Sequence, residues 1–300
     1  MEIILTQEDP SAPPKHNQEK LLGVTWAMTA LNLVLVFASS FLVVKVYKLV
    51  QFQDMPLLLS IISITLSLIC FFCYNTMQLV RTIESNYYYG WDEYFLNTGR
   101  GVNLILAVDQ LKVMFTFCAF VFDLYKWCVF IVATSQTVKS SGEEGNEKKQ
   151  RLMVRILYIV QIIIIGAFLF FFFSISLFNP ISDSIKNVKL ASRYFIITMF
   201  AIFLVVYTFV LVFLSRRLKK YFPKFYEKEH LKIFLTTGII ILAIVSRITV
   251  NTWLINHLQD IEDSLNNGDW LYPGYQLITC LFATFFPLAA TVVSLLYALS

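Results

Sequence analysis

Residues 101–130 read GVNLILAVDQLKVMFTFCAFVFDLYKWCVF. An α-helix rising 1.5 Å per residue needs about 20 apolar residues to cross roughly 30 Å of hydrocarbon. The apolar run around this stretch, 101–136, is longer than that, yet it carries Asp109, Lys112, Asp123 and Lys126. Ionisable groups at membrane depth cost at least about 2.5–3.5 kcal/mol each on insertion scales, so they turn toward a bundle interior. Each acid and lysine are three residues apart and can meet on one helix face. The two pairs are fourteen residues apart, which at 100° per residue leaves them about 40° out of register, so all four are expected on one stripe. A helix of this kind belongs at the centre of a bundle, sheltered from lipid.

Working outward, apolar runs recur at about 22–44, 56–80, 152–178, 191–214, 231–256 and 273–299. With 101–136 they make seven expected spans. The 300 residues are 57% hydrophobic and 15% charged, against roughly 25% charged in an ordinary globular domain. Alternating ten-residue segments of the barrel type are absent. The fold class expected is therefore all-α, a polytopic seven-transmembrane helix bundle (21–300) behind a flexible polar N-terminal tail (1–20) that holds Pro10, Pro13 and Pro14. The tail has no pattern of a cleavable signal peptide.

Lysine and arginine set the orientation, because short cytosolic loops retain them. The first, third and fifth connections hold fourteen basic residues, from Lys45 to Lys232, and the opposite side holds seven, among them Lys15, Arg81, Arg100 and Arg193. That bias puts the N-terminus outside and the C-terminus in the cytosol. The net charge of +4 is accounted for by loops facing an anionic leaflet, so the lipid bilayer is an expected partner and nucleic acid is not. Localisation is expected in the plasma membrane or an endomembrane. Tyr87, Tyr88, Tyr89, Trp91, Tyr94, Trp270, Tyr272 and Tyr275 fit an aromatic interfacial belt.

The sixth span carries Arg247, a plausible partner for Asp109, with Asn251 one turn further on. In the second span Asn75, Gln78 and Arg81 recur every three residues. Polar side chains of this sort join helices or line a cavity. Together with Asp109, Lys112, Asp123 and Lys126 they are read as a polar network or ligand-binding site in the bundle. The alternatives are an ion or proton pathway and a set of packing devices. No Gly-rich phosphate cradle, His/Glu metal pattern or nucleophile with an evident base is present. No enzyme activity, cofactor or metal is therefore expected. The five cysteines all lie inside apolar runs and read as small hydrophobes. The seventh span has no lysine, so a retinal Schiff base has no attachment point there.

Seven spans, an outer N-terminus, a charged third span and a basic connection between spans five and six resemble seven-helix, G protein-coupled receptor-like proteins. The third span ends in Thr134, Ser135 and Gln136 rather than Asp-Arg-Tyr, and the seventh has Phe286, Pro287 and Leu288 in place of Asn-Pro-x-x-Tyr, so the rhodopsin-like class is not met. Ser246, Arg247 and the stretch from Tyr275 to Pro287 are similar to the heptahelical tobamovirus-multiplication family of plants and protists, with Thr284 where that family carries an acidic residue. The resemblance covers about 50 residues and implies a membrane-embedded receptor-like or scaffold protein.

Three functions follow as expectations. The first is a receptor-like signalling protein that takes an unknown small ligand from the extracytosolic side and couples to a cytosolic signalling protein through the basic loop 215–232, at Arg216, Arg217, Lys219 and Lys220. The second is a transporter or channel. The third is a structural subunit or scaffold of a membrane complex. Ser300 directly follows the seventh expected span, so no cytosolic tail for phosphorylation is expected, which weighs against the first.

Overall fold

The computed structural model describes residues 15–50, 55–87, 99–138, 143–177, 183–257, 271–286, 288–289 and 292, and all of the regular structure among them is helical. The helices are α1 (Lys15–Val50), α2 (Met55–Tyr87), α3 (Gly99–Val138), α4 (Glu143–Leu177), α5 (Asp183–Tyr221), α6 (Pro223–Asn256) and α7 (Leu271–Cys280), the last running into a π-helical turn at Leu281–Phe285. Residues 15–20, assigned above to the tail, already belong to α1. Residues 1–14 lie outside the described residues.

Among the described residues five helices are long and apolar enough to cross a membrane, with spans at Leu22–Lys48, Leu57–Val80, Asn103–Tyr125, Asn187–Tyr221 and Ile233–Asn256. The apolar part of α4 is shorter, Ile159–Ile175. Large apolar side chains point outward from this bundle: Phe37, Phe170, Val205 and Phe209 are 66–71% exposed. Patches of that kind are expelled by water and accepted by hydrocarbon, so this is an integral membrane protein.

Helix α3 is the axis of the packing. Of its apolar window 67% is buried, against 22% for α1 and α5. One side packs with α4, α5 and α6 around Phe117, Phe168, Phe200 and Phe203. The other packs through Ala119 with Leu42, Leu58, Leu68 and Leu288. Lys112, a charge that could not face lipid, is thus enclosed by neighbours.

Small polar residues bring α2 against α3. Ser67 Oγ donates to the Lys112 carbonyl at 3.1 Å and lies 2.7 Å from Thr116 Oγ1, and Ser60 Oγ donates to the Ala119 carbonyl at 3.2 Å. Seven residues separate the two serines, so they share a face. On the α1 side Asn32 Nδ2 donates to the Leu68 carbonyl at 3.1 Å. Without a hydrophobic force between helices in lipid, such close approach and cross-helix bonding is what holds a pair together.

The basic segment 215–232 is not a loop. Ser215–Tyr221 is the end of α5, α6 starts at Pro223, and Phe222 alone leaves the helical region, with φ −135° and ψ 59°. Proline has no N–H to continue the α5 ladder, restricts the residue before it, and suits the first position of a new helix. Lys219 and Lys220 lie in the last turn of α5, where cations meet the negative end of the helix dipole. Polarity alone pointed to a loop. Proline and capping chemistry make it a helical corner.

Candidate functional site

Two polar layers interrupt the apolar core. Asp109 and Arg193 each stand ten residues from the starts of α3 and α5, while Arg247 is nine residues from the end of α6 and Asn75 twelve from the end of α2. At 1.5 Å per residue these positions are roughly 14–18 Å from one end of the bundle. They form the first layer.

Its centre is an ion pair between the Lys112 ammonium and the Asp109 carboxylate, one turn apart on α3. The Lys112 side chain is 4% exposed and that of Asp109 31%, so the cation is enclosed and the acid is part-exposed. Lys112 Nζ also lies 5.0 Å from the Phe71 ring centre and 4.8 Å from that of Tyr74. Ring faces carry negative potential and stabilise a desolvated ammonium by up to about 2 kcal/mol each. Helix α2 thus supplies an apolar wall that a cation can tolerate.

Arg247 is buried, and its Nη2 donates to Thr284 Oγ1 at 3.2 Å in the π-helical turn after α7. It makes no ion pair with Asp109, contrary to the pairing suggested by depth, although each feels the other's charge. The neighbouring Lys112 has the shorter reach along α3 and takes the carboxylate. Asn251 Nδ2 donates to the Arg247 backbone carbonyl at 2.8 Å, which ties it to its own helix. Gln78 Nε2 donates to Tyr74 Oη at 3.4 Å, and Asn75 is buried with Cys280 Sγ 4.0 Å from its Oδ1. The Arg81 side chain lies outside the described residues.

The π turn is what brings Thr284 to Arg247. The Phe286 amide donates to the Leu281 carbonyl, five residues back. Proline at 287 can give no hydrogen to the carbonyl four residues before it, and a widened turn is a common response that recurs at functional positions. Pro287 itself lies outside the described residues.

The second layer is further along α3. Asp123 Oδ2 accepts from the Tyr207 hydroxyl at 2.9 Å and from Trp127 Nε1 at 3.2 Å. Thr237 of α6 is close to the same hydroxyl. The Lys126 side chain, expected as the partner of Asp123, lies outside the described residues. Asp109 pairs with Lys112 of its own helix and feels Arg247 of α6 and Arg193 of α5, while Asp123 bonds Tyr207 of α5. Alignment on one helix fixes a direction, but crossing helices decide who stands there.

Between the layers runs an aromatic stack. Phe117 meets Phe200 edge-on at 5.6 Å and Phe203 at 5.3 Å, and Phe203 lies 5.6 Å from Tyr207. Beyond Asp123, Trp127 packs on Leu214, Leu218 and Ile233, beside the basic corner. There Arg217 covers the rings of Phe213 and Tyr221 at 5.8 and 5.9 Å, and Lys220 that of Tyr221 at 5.2 Å. Arg216 and Lys219 are exposed at the same helix end.

Several residues of the site were not singled out in the sequence. Tyr207, Phe71, Tyr74 and Trp127 look like ordinary aromatics of apolar runs. Arg193 was counted with a connecting segment, but α5 starts at Asp183 and carries it inward. Tyr275, read as part of an interfacial belt, stacks on Trp253 at 5.5 Å near Arg247. Compared with protein-family models, with curated proteins and with solved structures, the chain matches none.

Proposed function

We propose that this chain is a seven-transmembrane, receptor-like signalling protein, with its N-terminus outside and its C-terminus cytosolic. In this reading α4 and the apolar run 273–299, which α7 opens, complete the seven spans. The fourteen-to-seven distribution of basic residues supports the orientation, which puts the Asp109 layer toward the extracytosolic side and the α5–α6 corner in the cytosol. A ligand at Asp109, Lys112 and Arg247 biases the helices that meet there, and the corner carrying Arg216, Arg217, Lys219 and Lys220 presents the result to a cytosolic protein. The similarity at Ser246, Arg247 and Tyr275–Pro287 to the heptahelical tobamovirus-multiplication family agrees with a receptor-like role.

The observation that carries this reading is the packed run that starts at Phe117, five residues beyond Lys112 on α3, and passes through Phe203, Tyr207 and Asp123 to Trp127 beside the corner. Coupling between sites needs a contiguous element with two arrangements, and a stack of rings between two helices can supply one.

The test is proximity labelling in the cell, comparing the full chain with the R216Q/R217Q/K219Q/K220Q variant. Loss of a cytosolic signalling protein from the labelled set is the expected result. An unchanged set overturns the coupling. A second reading, a structural subunit, is favoured by the internal satisfaction of Asp109 by Lys112 and of Asp123 by Tyr207 and Trp127. It expects fixed membrane partners whose association survives the paired neutral variant D109N/K112M.

A further inference from the structure

Among the described residues the first layer holds more positive charge than it neutralises. Lys112, Arg193 and Arg247 gather around one carboxylate, Asp109, which feels all three. Lys189 adds a further cation one turn before Arg193. Asp109 is engaged by Lys112 directly, and among the described residues no other ion pair reaches the two arginines. A buried guanidinium without an anion is costly, because neither water nor a counter-charge replaces its hydration.

The unused hydrogen-bonding groups point the same way. Arg247 Nε, Arg193 Nη1 and Asn75 Nδ2 are buried donors with no hydrogen-bond partner among the described residues. Arg247 is 5% exposed and Asn75 2%. Asn75 and Arg247 belong to one neighbourhood: Cys280 lies 4.0 Å from Asn75 Oδ1 and feels the charges of Lys112, Asp109 and Arg247, while Arg247 bonds Thr284 one turn beyond Cys280; Arg193 is linked to it by the charge that Asp109 feels. The hydroxyls of Ser192 and Thr279 are also bare, but each is one residue, about 100° of helix, from Arg193 and Cys280. The bare acceptor Gln110 Oε1 belongs to the residue after Asp109, about 100° around α3 from it.

We propose that Arg247 and Asn75, with Arg193 in electrostatic reach, hold an oxyanion, a carboxylate or phosphate group, next to the Lys112–Asp109 pair. The guanidinium fork offers parallel N–H groups that match two oxygens of such a group. Asp109, with 31% of its side chain exposed, is the side from which a ligand would enter. Asp109 then has two effects: it neutralises Lys112, and its own negative charge opposes the ligand and keeps the affinity moderate. The proposal rests on reading this layer as the ligand site and names the chemical class that it takes.

The experiment is thermal unfolding of the purified full chain in zwitterionic-lipid nanodiscs. Sodium phosphate and sodium acetate are titrated against sodium chloride at constant ionic strength, and a parallel series uses nanodiscs containing phosphatidylglycerol. A bound anion stabilises by mass action and saturates. The expected result is a saturable rise in Tm that is lost in Arg247→Gln and needs at least tenfold more anion in Arg193→Gln. In Asp109→Asn half-saturation should fall about tenfold, since a nearby like charge has been removed. A purely packing role would not give that change of sign.

A response confined to phosphatidylglycerol, and lost in Arg247→Gln, identifies the oxyanion as a lipid headgroup rather than a free solute. No saturable response in any arm overturns the proposal, as does one that Arg193→Gln and Asp109→Asn leave unaltered. Saturable anion binding with an unchanged set of labelled partners would sink the receptor reading and leave the anion site standing. Lost labelling without an anion response would do the reverse.

Discussion

Asp109 and Asp123 are fourteen residues apart on the same helix, and the bundle deals with them differently. Asp109 is met by a cation, Lys112, with Arg193 and Arg247 in electrostatic reach. Asp123 is met by a phenol and an indole. In the first layer the groups around Asp109 are charged, so removing one strands another. In the second the two donors seen among the described residues are neutral. A buried charge can be balanced either by an opposite charge or by oriented dipoles, and only the first arrangement makes the partners depend on each other.

The largest expected effect follows from that dependence. Asp109→Asn leaves the Lys112 ammonium 4% exposed with only the rings of Phe71 and Tyr74 to face. Breaking a buried pair on one side costs about 3 kcal/mol or more, whereas replacing both partners by neutral groups is close to neutral. Thermal unfolding of D109N should therefore show a large loss, and D109N/K112M should recover most of it. A double variant no better than the single one would mean that the pair is not the unit of stability in this layer.

Sequence and structure part company at identifiable places. The membrane class and the enclosure of α3 were legible, because an apolar run punctuated by Asp109, Lys112, Asp123 and Lys126 has few other solutions. The Lys112–Asp109 pair was legible too, since three-residue spacing is a property of one helix. The partners of Arg247 and Asp123 were not. Thr284 and Tyr207 come from other helices, 37 and 84 residues away in the chain, and helix periodicity says which way a side chain points without saying what stands opposite. The α5–α6 corner was misread for another reason: a dense run of basic residues suggests solvent, but Pro223 restarts a helix as readily as it ends one.

A smaller effect is expected in the second layer. In Asp123→Asn the side-chain oxygen can still accept from the Tyr207 hydroxyl and the Trp127 N–H, so the bonds persist with a neutral acceptor. Charge-assisted hydrogen bonds exceed neutral ones by about 1 kcal/mol, and that difference is the expected loss in the same unfolding measurement. If D123N proved as damaging as D109N, the contrast between charge pairing and dipole solvation would collapse, and a cation on Asp123, such as Lys126, would have to be sought.

The least effect is expected from Trp127→Phe, and its size separates two roles of the second layer. Trp127 and Asp123 are four residues apart on α3, so their bond joins a helix to itself. Tyr207 belongs to α5, and its bond joins two helices. Hydrogen bonds between membrane helices average about 0.6 kcal/mol, and a bond within one helix that persists when neighbours separate should contribute less to holding them together. Phenylalanine keeps most of the packing against Leu214, Leu218 and Ile233. W127F should accordingly unfold within about 0.5 kcal/mol of the wild type, with Tyr207→Phe more destabilised than W127F under the same conditions. The reverse order would mean that Trp127 holds the basic corner against α3 by its N–H rather than by its ring, and that the second layer ends at the corner instead of at α5.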